Sequence, residues 1–179
     1  MDYSKDTTLN LIIGPMFSGK TTELLRIAKR LKSIKMNVLL LNYSEDTRYS
    51  DTEMSTHDKE GLPCDFVKDL EKVKYEDYDI ICINEGQFFE GLVTFCKSAL
   101  SKNKSIYVSG LDGDYKQEKF GEILDLVPLS DKITKLHAFC SICKDGTQAH
   151  FTKRIVNDNK EQKLIGTEEY IPVCRKHLN

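Results

Sequence analysis

The first apolar run, Leu9, Leu11, Ile12 and Ile13, has the length and composition of a buried strand. Between residues 21 and 33 the apolar positions are Leu24, Leu25, Ile27, Ala28 and Leu31, the spacing of a helix with one buried face. Residues 36–43 are nearly all apolar and predict a second strand. Residues 44–64 are polar and lack a period, which predicts a long loop; such loops in compact domains often carry function. A short amphipathic helix is expected over 66–73, a third strand over 78–84 and a helix over 88–101. Residues 105–109 predict a fourth strand, and 110–120, rich in Gly, Asp and Lys, a loop. A helical turn over 120–126 precedes Pro128, and a fifth strand is expected over 132–139. Strands alternating with helices pair in parallel through crossovers. After Phe139 the character changes to short β-like pieces, at 149–156 and 162–165. The expectation is an α/β domain over 1–139, a parallel sheet flanked by helices, followed by a small lobe over 140–179.

The turn between the first strand and the first helix carries the chemistry. Gly14, Pro15, Met16, Phe17, Ser18, Gly19, Lys20 and Thr21 fit the pattern G-x-x-x-x-G-K-[ST]. Backbone N–H groups of such a loop wrap nucleotide phosphates, Lys20 reaches the outer ones, and the Thr21 hydroxyl suits Mg²⁺. The flanks are the required ones, because the helix that follows adds its positive end. The chain binds nucleotide phosphate, in a fold like that of the P-loop NTPases.

Composition narrows the setting. The chain has 179 residues, 40% hydrophobic and 30% charged, with a net charge of −2. That size suits one main domain with an appendage. The charge offers no general attraction to nucleic acid or anionic membrane. No apolar stretch approaches the ~20 residues that span a bilayer, and residues 1–10 are unlike a signal peptide. A cytoplasmic protein with no nucleic-acid or membrane partner is expected, its six cysteines reduced or metal-bound.

Four of the candidate ligands come as two knuckles, Cys140-x-x-Cys143 and Cys174-x-x-His177. Cys₃His leaves no open position, which is the composition of a structural zinc site. A redox pair at Cys140 and Cys143 is the rival, and the second knuckle argues against it. Cys82 and Cys96 fall at core positions and predict inert thiols. His57, His137 and His150 read as lone histidines. Where the third strand ends, at Ile83-Asn84-Glu85-Gly86-Gln87, Glu85 is the one carboxylate. Ligands of open α/β sheets sit beyond the C-terminal ends of strands, so Glu85 is placed to accept a proton from an attacking hydroxyl. A solvated glutamate in a turn fits the spacing too.

Several motifs together resemble the type II thymidine kinases: GPMFSGKTTELLR at 14–26, DTRYS at 46–50, THD at 56–58, EGQFF at 85–89, GLDGDY at 110–115, LVPLSDKITKL at 126–136 and VCRKH at 173–177. The resemblance runs in register from about residue 9 to 177. It implies transfer of the ATP γ-phosphate to the 5′-hydroxyl of thymidine, and of deoxyuridine, in pyrimidine salvage for DNA synthesis. It also implies Mg²⁺ with ATP, structural zinc, a homotetramer and feedback inhibition by dTTP. By that resemblance Glu85 is the general base and Arg48 stabilises charge during transfer. Asp46, Thr47, Asn84, Gly86 and Gln87 join the phosphate loop and Arg48 on the ATP side. Phe88, Leu111, Tyr115 and Phe120 correspond to the wall around the nucleoside. Thr152, Gln162, Lys163, Leu164, Ile165, Gly166 and Tyr170 correspond to a lasso loop that closes over the base. Backbone groups near Leu164 and Gly166 would select thymine over cytosine by donor and acceptor pattern.

Three positions depart from the family pattern. His177 replaces a more frequent cysteine, which zinc accepts. Gly166-Thr167 replaces a common Gly-Gly. Asn84 stands where Asp is usual, and loses a charge that attracts Mg²⁺. Weaker Mg²⁺ dependence or slower turnover is the expectation. The alternatives are a deoxynucleoside kinase of shifted base choice and a nucleotide-binding protein with reduced or lost transfer. A DNA-binding zinc module is disfavoured by the acidic balance.

Overall fold

The computed structural model describes residues 6–45, 53–55, 61–156 and 169–179. Its centre is a parallel sheet. In chain order, β1 (Leu9–Ile13) leads into helix α1 (Lys20–Ser33), and β2 (Val38–Tyr43) follows. Two three-residue strands, β3 (Glu53–Ser55) and β4 (Gly61–Pro63), form an antiparallel pair. Then come β5 (Asp65–Val67), β6 (Ile80–Ile83), helix α2 (Leu92–Ser101), β7 (Ser105–Gly110) and β8 (Lys132–Lys135). The sheet order is β5-β2-β6-β7-β1-β8, every neighbouring pair parallel. The α/β expectation therefore holds.

The inner strands read as continuous apolar runs because both faces are covered, and their residues divide by parity. Leu9, Leu11, Ile13, Leu39, Leu41, Ile81 and Ile83 pack on the side of α2, with Leu92, Phe95, Cys96 and Ala99. Ile12, Val38, Leu40, Ile80 and Cys82 pack on the side of α1, against Leu24, Leu25 and Ala28. Helix α1 has Glu23 in its first turn and Arg30 and Lys32 in its last, each matched to the nearby end of the helix dipole.

Four expectations need correction. The region predicted as a bare loop over 44–64 contains the β3–β4 pair, and Met54 is buried against the α1 face. The helix expected over 66–73 is replaced by β5 and a single 3₁₀ turn, Leu70–Lys72. Phe66, Leu70 and Val73 mimic a helical stripe, but the open edge of β2 satisfies its backbone by pairing Leu41–Tyr43 with β5. The helix expected from Phe88 starts at Leu92, after a 3₁₀ turn at Gly86–Phe88 and a left-handed Gly91. The fifth strand stops at Lys135, and Ala138–Phe139 (β9) pairs instead with Gln148–Ala149 (β10) in a separate ribbon. A third ribbon, β11 (Phe151–Arg154) against β12 (Tyr170–Val173), adds a strand that the sequence pattern missed.

Helix α2 has no side-chain cap of its own; Glu122, 31 residues on from Gly91, supplies one. Its two carboxylate oxygens accept from the N–H groups of Gly91 (2.8 Å) and Val93 (3.0 Å). A carboxylate there answers both the orphan donors and the dipole. Glu122→Ala is expected to destabilise the protein by about 1–2 kcal/mol. A thermal unfolding midpoint lowered by several degrees would register it; an unchanged midpoint would refute the cap.

Candidate active site and metal centre

The phosphate loop leaves β1 at Gly14, whose backbone passes so close to β8's continuation that a Cβ would meet the Leu136 carbonyl oxygen at 2.5 Å. Within the loop, Ser18 Oγ donates to the Pro15 carbonyl at 2.8 Å, and Lys20 Nζ donates to the same oxygen at 2.6 Å. Phe17 takes a left-handed backbone, φ 61°, and is exposed. The Met16 N–H donates to Thr152 Oγ1 on β11 at 3.0 Å, so a ribbon after the sheet holds the loop directly.

Polar side chains converge beyond the C-terminal ends of β2, β6 and β7. Asn84 is buried, and its Oδ1 accepts from Thr21 Oγ1 at 3.2 Å and Ser109 Oγ at 2.7 Å. Its Nδ2 donates to Asn42 Oδ1 at 3.0 Å. The amide is thus oriented with its oxygen toward the phosphate loop. Thr21 and Asn84 offer neutral hard oxygens side by side, a pairing that suits hydrated Mg²⁺, which binds through few protein ligands and keeps several waters. Sequence reasoning missed Asn42 and Ser109. Each is the penultimate residue of a parallel strand, so the strand-end rule that selected Glu85 would have pointed to them.

Glu85 follows Asn84 with a left-handed backbone, φ 55°, and its carboxylate oxygen Oε2 accepts from Gln87 Nε2 at 2.6 Å. Gln87 Oε1 in turn accepts from the Leu111 N–H at 3.0 Å. An aromatic cluster lies alongside: Phe88 meets Phe120 edge-on with ring centres 5.5 Å apart, and Tyr43 at 5.3 Å. Tyr115 lies beside Arg154, whose guanidinium carbon is 5.2 Å from its ring and 5.9 Å from the ring of Tyr170. Arg154 had no signal in the sequence beyond its place in a β-like piece. Asp46, Thr47, Arg48, His57, Gln162, Lys163, Leu164, Ile165, Gly166 and Thr167 lie outside the described residues.

Cys140, Cys143, Cys174 and His177 come together with all four ligand atoms within 4.8 Å of one another. Cys143 Sγ and Cys174 Sγ are 3.8 Å apart, and His177 Nδ1 is 3.4 Å from each and 3.7 Å from Cys140 Sγ. Tetrahedral zinc with Zn–S of ~2.3 Å and Zn–N of ~2.0 Å separates sulfurs by ~3.8 Å and sulfur from nitrogen by ~3.5 Å. The cluster fits. Burial raises the Cys140 thiol, but N–H groups of Cys143, Cys174 and Ile142, with His177, bring it down to about 5. Burial and the adjacent Cys140 and Cys174 sulfurs push Cys143 up to about 11. Cys82 and Cys96, pushed by burial to about 12, are inert core thiols as expected. His137 and His150 are not isolated: their ring centres lie 5.8 Å apart.

A family model described as thymidine kinase matches residues 7–178. The chain is 41% identical over 178 residues to a rice protein named thymidine kinase, covering 94% of this chain and 65% of that one. It is 38% identical over 169 residues to a chicken protein named thymidine kinase, cytosolic, covering 93% and 75%. With a sheeppox virus thymidine kinase it shares 41% over 179 residues, covering 98% and 97%. The family match takes in the phosphate loop, Glu85 and the Cys₃His cluster, and this chain belongs to the thymidine kinase family.

Proposed function

We propose that this chain transfers the γ-phosphate of ATP to the 5′-hydroxyl of thymidine, giving dTMP for DNA synthesis. The observation that carries the reading is the hydrogen bond from Thr21 of the phosphate loop to Asn84, which ties that loop to the strand end where Glu85 and the Phe88–Phe120 pair follow. Backbone amides of residues 14–19 and Lys20 would bind the polyphosphate. Glu85 would take the proton of the 5′-hydroxyl as that oxygen attacks phosphorus and the bond to the β,γ-bridging oxygen breaks. Mg²⁺, when bound with ATP, neutralises developing phosphate charge; Thr21 and Asn84 are the residues to hold it or its waters. Arg48, Asp46 and Thr47 are assigned to the ATP side by family resemblance alone.

Phe88, Leu111 and Phe120 would flank the nucleoside, and residues 162–166 would cover the base, excluding water and limiting futile ATP hydrolysis. Thr152 and Tyr170, on the β11–β12 ribbon, are assigned to the nucleoside side by family resemblance. Residues 1–139 form the nucleotide-binding unit in this reading, and 140–179 the zinc-stapled lobe. A cytoplasmic homotetramer inhibited by dTTP completes the proposal. The name of the chicken relative supports the location, and no described helix is long and apolar enough to cross a membrane.

Labelled ATP·Mg²⁺ with thymidine, deoxyuridine and deoxycytidine tests the reading. Product with the first two and none with the third is expected; product with deoxycytidine would overturn the base choice, and none at all the transfer. The Mg²⁺ titration of Asn84→Asp belongs in the same series. Ser109 and Thr21 already donate toward one oxygen, Asn42 would have to turn its amide to donate to the oxygen that replaces Nδ2, and half-saturation should fall severalfold. Identical curves would show that the missing charge is immaterial.

A further inference from the structure

We propose that Gln87 is a positioning residue whose single amide sets both the Glu85 carboxylate and the nucleoside-facing loop after β7. The inference rests on reading Glu85 as the general base. The orientation of the amide is determined by its neighbours. Leu111 presents a backbone N–H, which can only donate, so the oxygen of Gln87 must face it, at 3.0 Å. The nitrogen is then turned to Glu85 Oε2, at 2.6 Å. The side chain is 3% exposed, which leaves little room for another arrangement.

The surrounding backbone is shaped to this residue. A Cβ on Gly110 would fall 2.3 Å from Gln87 Oε1, and one on Gly121 would fall 2.1 Å from the Gln87 carbonyl oxygen. Gly110, at the end of β7, therefore leaves the volume that the Gln87 amide fills, and Gly121 admits the backbone of the same residue. Glu85 itself sits on a left-handed backbone in a tight turn, where a glutamate is uncommon and the aim of the carboxylate needs outside support. A donor on the carboxylate favours its charged form, the form a base requires. Because the same amide grips Leu111, the base and one wall of the nucleoside site hold a common register.

Two variants test this, Gln87→Glu and Gln87→Met, with kcat and KM for thymidine measured separately from about pH 5.5 to 9.5. Glutamate keeps an acceptor for Leu111 but replaces the donor with a second carboxylate. The two acids would share a proton, and the acid limb of kcat should move up by about one pH unit or more. On the acid side of that limb kcat falls about tenfold below the parent and recovers as the pH rises, while KM stays within about threefold. Gln87→Met lowers kcat about tenfold at every pH with thymidine affinity, read by calorimetry, retained. If Gln87→Glu does not fold, Gln87→Met decides alone. Parent kcat and parent pH limb in the folded variants would overturn the proposal. Glu85→Gln, run in parallel, separates the two ideas: parent turnover there removes the general base itself, whereas an inactive Glu85→Gln beside unaltered Gln87 variants removes only the role of Gln87.

Discussion

Cys174→Ser is expected to lose zinc and unfold the ribbons around it while the six-stranded sheet persists. The small core there contains five buried residues, Ala138, Cys140, Ala149, Val173 and Cys174, and two of them belong to the Cys₃His cluster. So little apolar surface cannot order the β9–β10 and β11–β12 ribbons unaided. A closed Cys₃His site contributes folding free energy outright, on the order of 10 kcal/mol in isolated zinc modules. Here the loss should appear as a low-temperature unfolding transition that the parent lacks, with zinc absent by metal analysis. Function should follow, because Thr152 on β11 holds the Met16 N–H of the phosphate loop. Thymidine phosphorylation is expected to fall by at least about tenfold, the size of one lost buried hydrogen bond or more. Prolonged chelation of the parent should reproduce both effects, and acidification should favour release because thiolates and imidazole must be free of protons to bind. A zinc-free variant with the parent melting curve and activity would show that the cluster is not a staple.

The inner sheet was legible because its strands are buried on both faces and therefore appear as unbroken apolar runs. Periodicity failed where an edge decided the outcome. Residues 65–67 have a helix-like pattern, but the unsatisfied edge of β2 draws them into a strand. Likewise residues 132–139 form one apolar-alternating stretch, yet the chain leaves the sheet after Lys135 so that Ala138 can pair with Ala149. Sheet edges and ribbon partners are distant in sequence, and no local pattern records them. Motif spacing did identify the Cys₃His cluster. The phosphate loop, Glu85 and both zinc knuckles are contiguous signatures. What escaped was the support behind them: Asn42 and Ser109 on Asn84, Glu122 on α2, and Arg154 between two tyrosines. Each is an ordinary residue made specific by a partner many positions away.

Glu85→Gln is expected to reduce kcat by about 10²–10⁴-fold, some 3–5 kcal/mol of barrier, with thymidine and ATP binding little changed. Glutamine has nearly the shape of glutamate and retains an oxygen for the Gln87 N–H, now at 2.6 Å from Glu85. The turn at φ 55° and the Phe88–Phe120 contact have no reason to move. Only the capacity to take a proton is removed. The attacking hydroxyl would then lose its proton to water, and at an enclosed site water is a poor substitute. Two readouts distinguish this from damage to the site. The acid limb of the parent's kcat profile should disappear in the variant, because the group that titrates there is gone. Binding of thymidine, followed by calorimetry, should stay within about threefold, since uniform binding is separable from an interaction made in the transition state. If kcat survives at the parent value, the proton leaves the 5′-hydroxyl by another route, and positioning with electrostatic stabilisation by the phosphate loop must account for the rate.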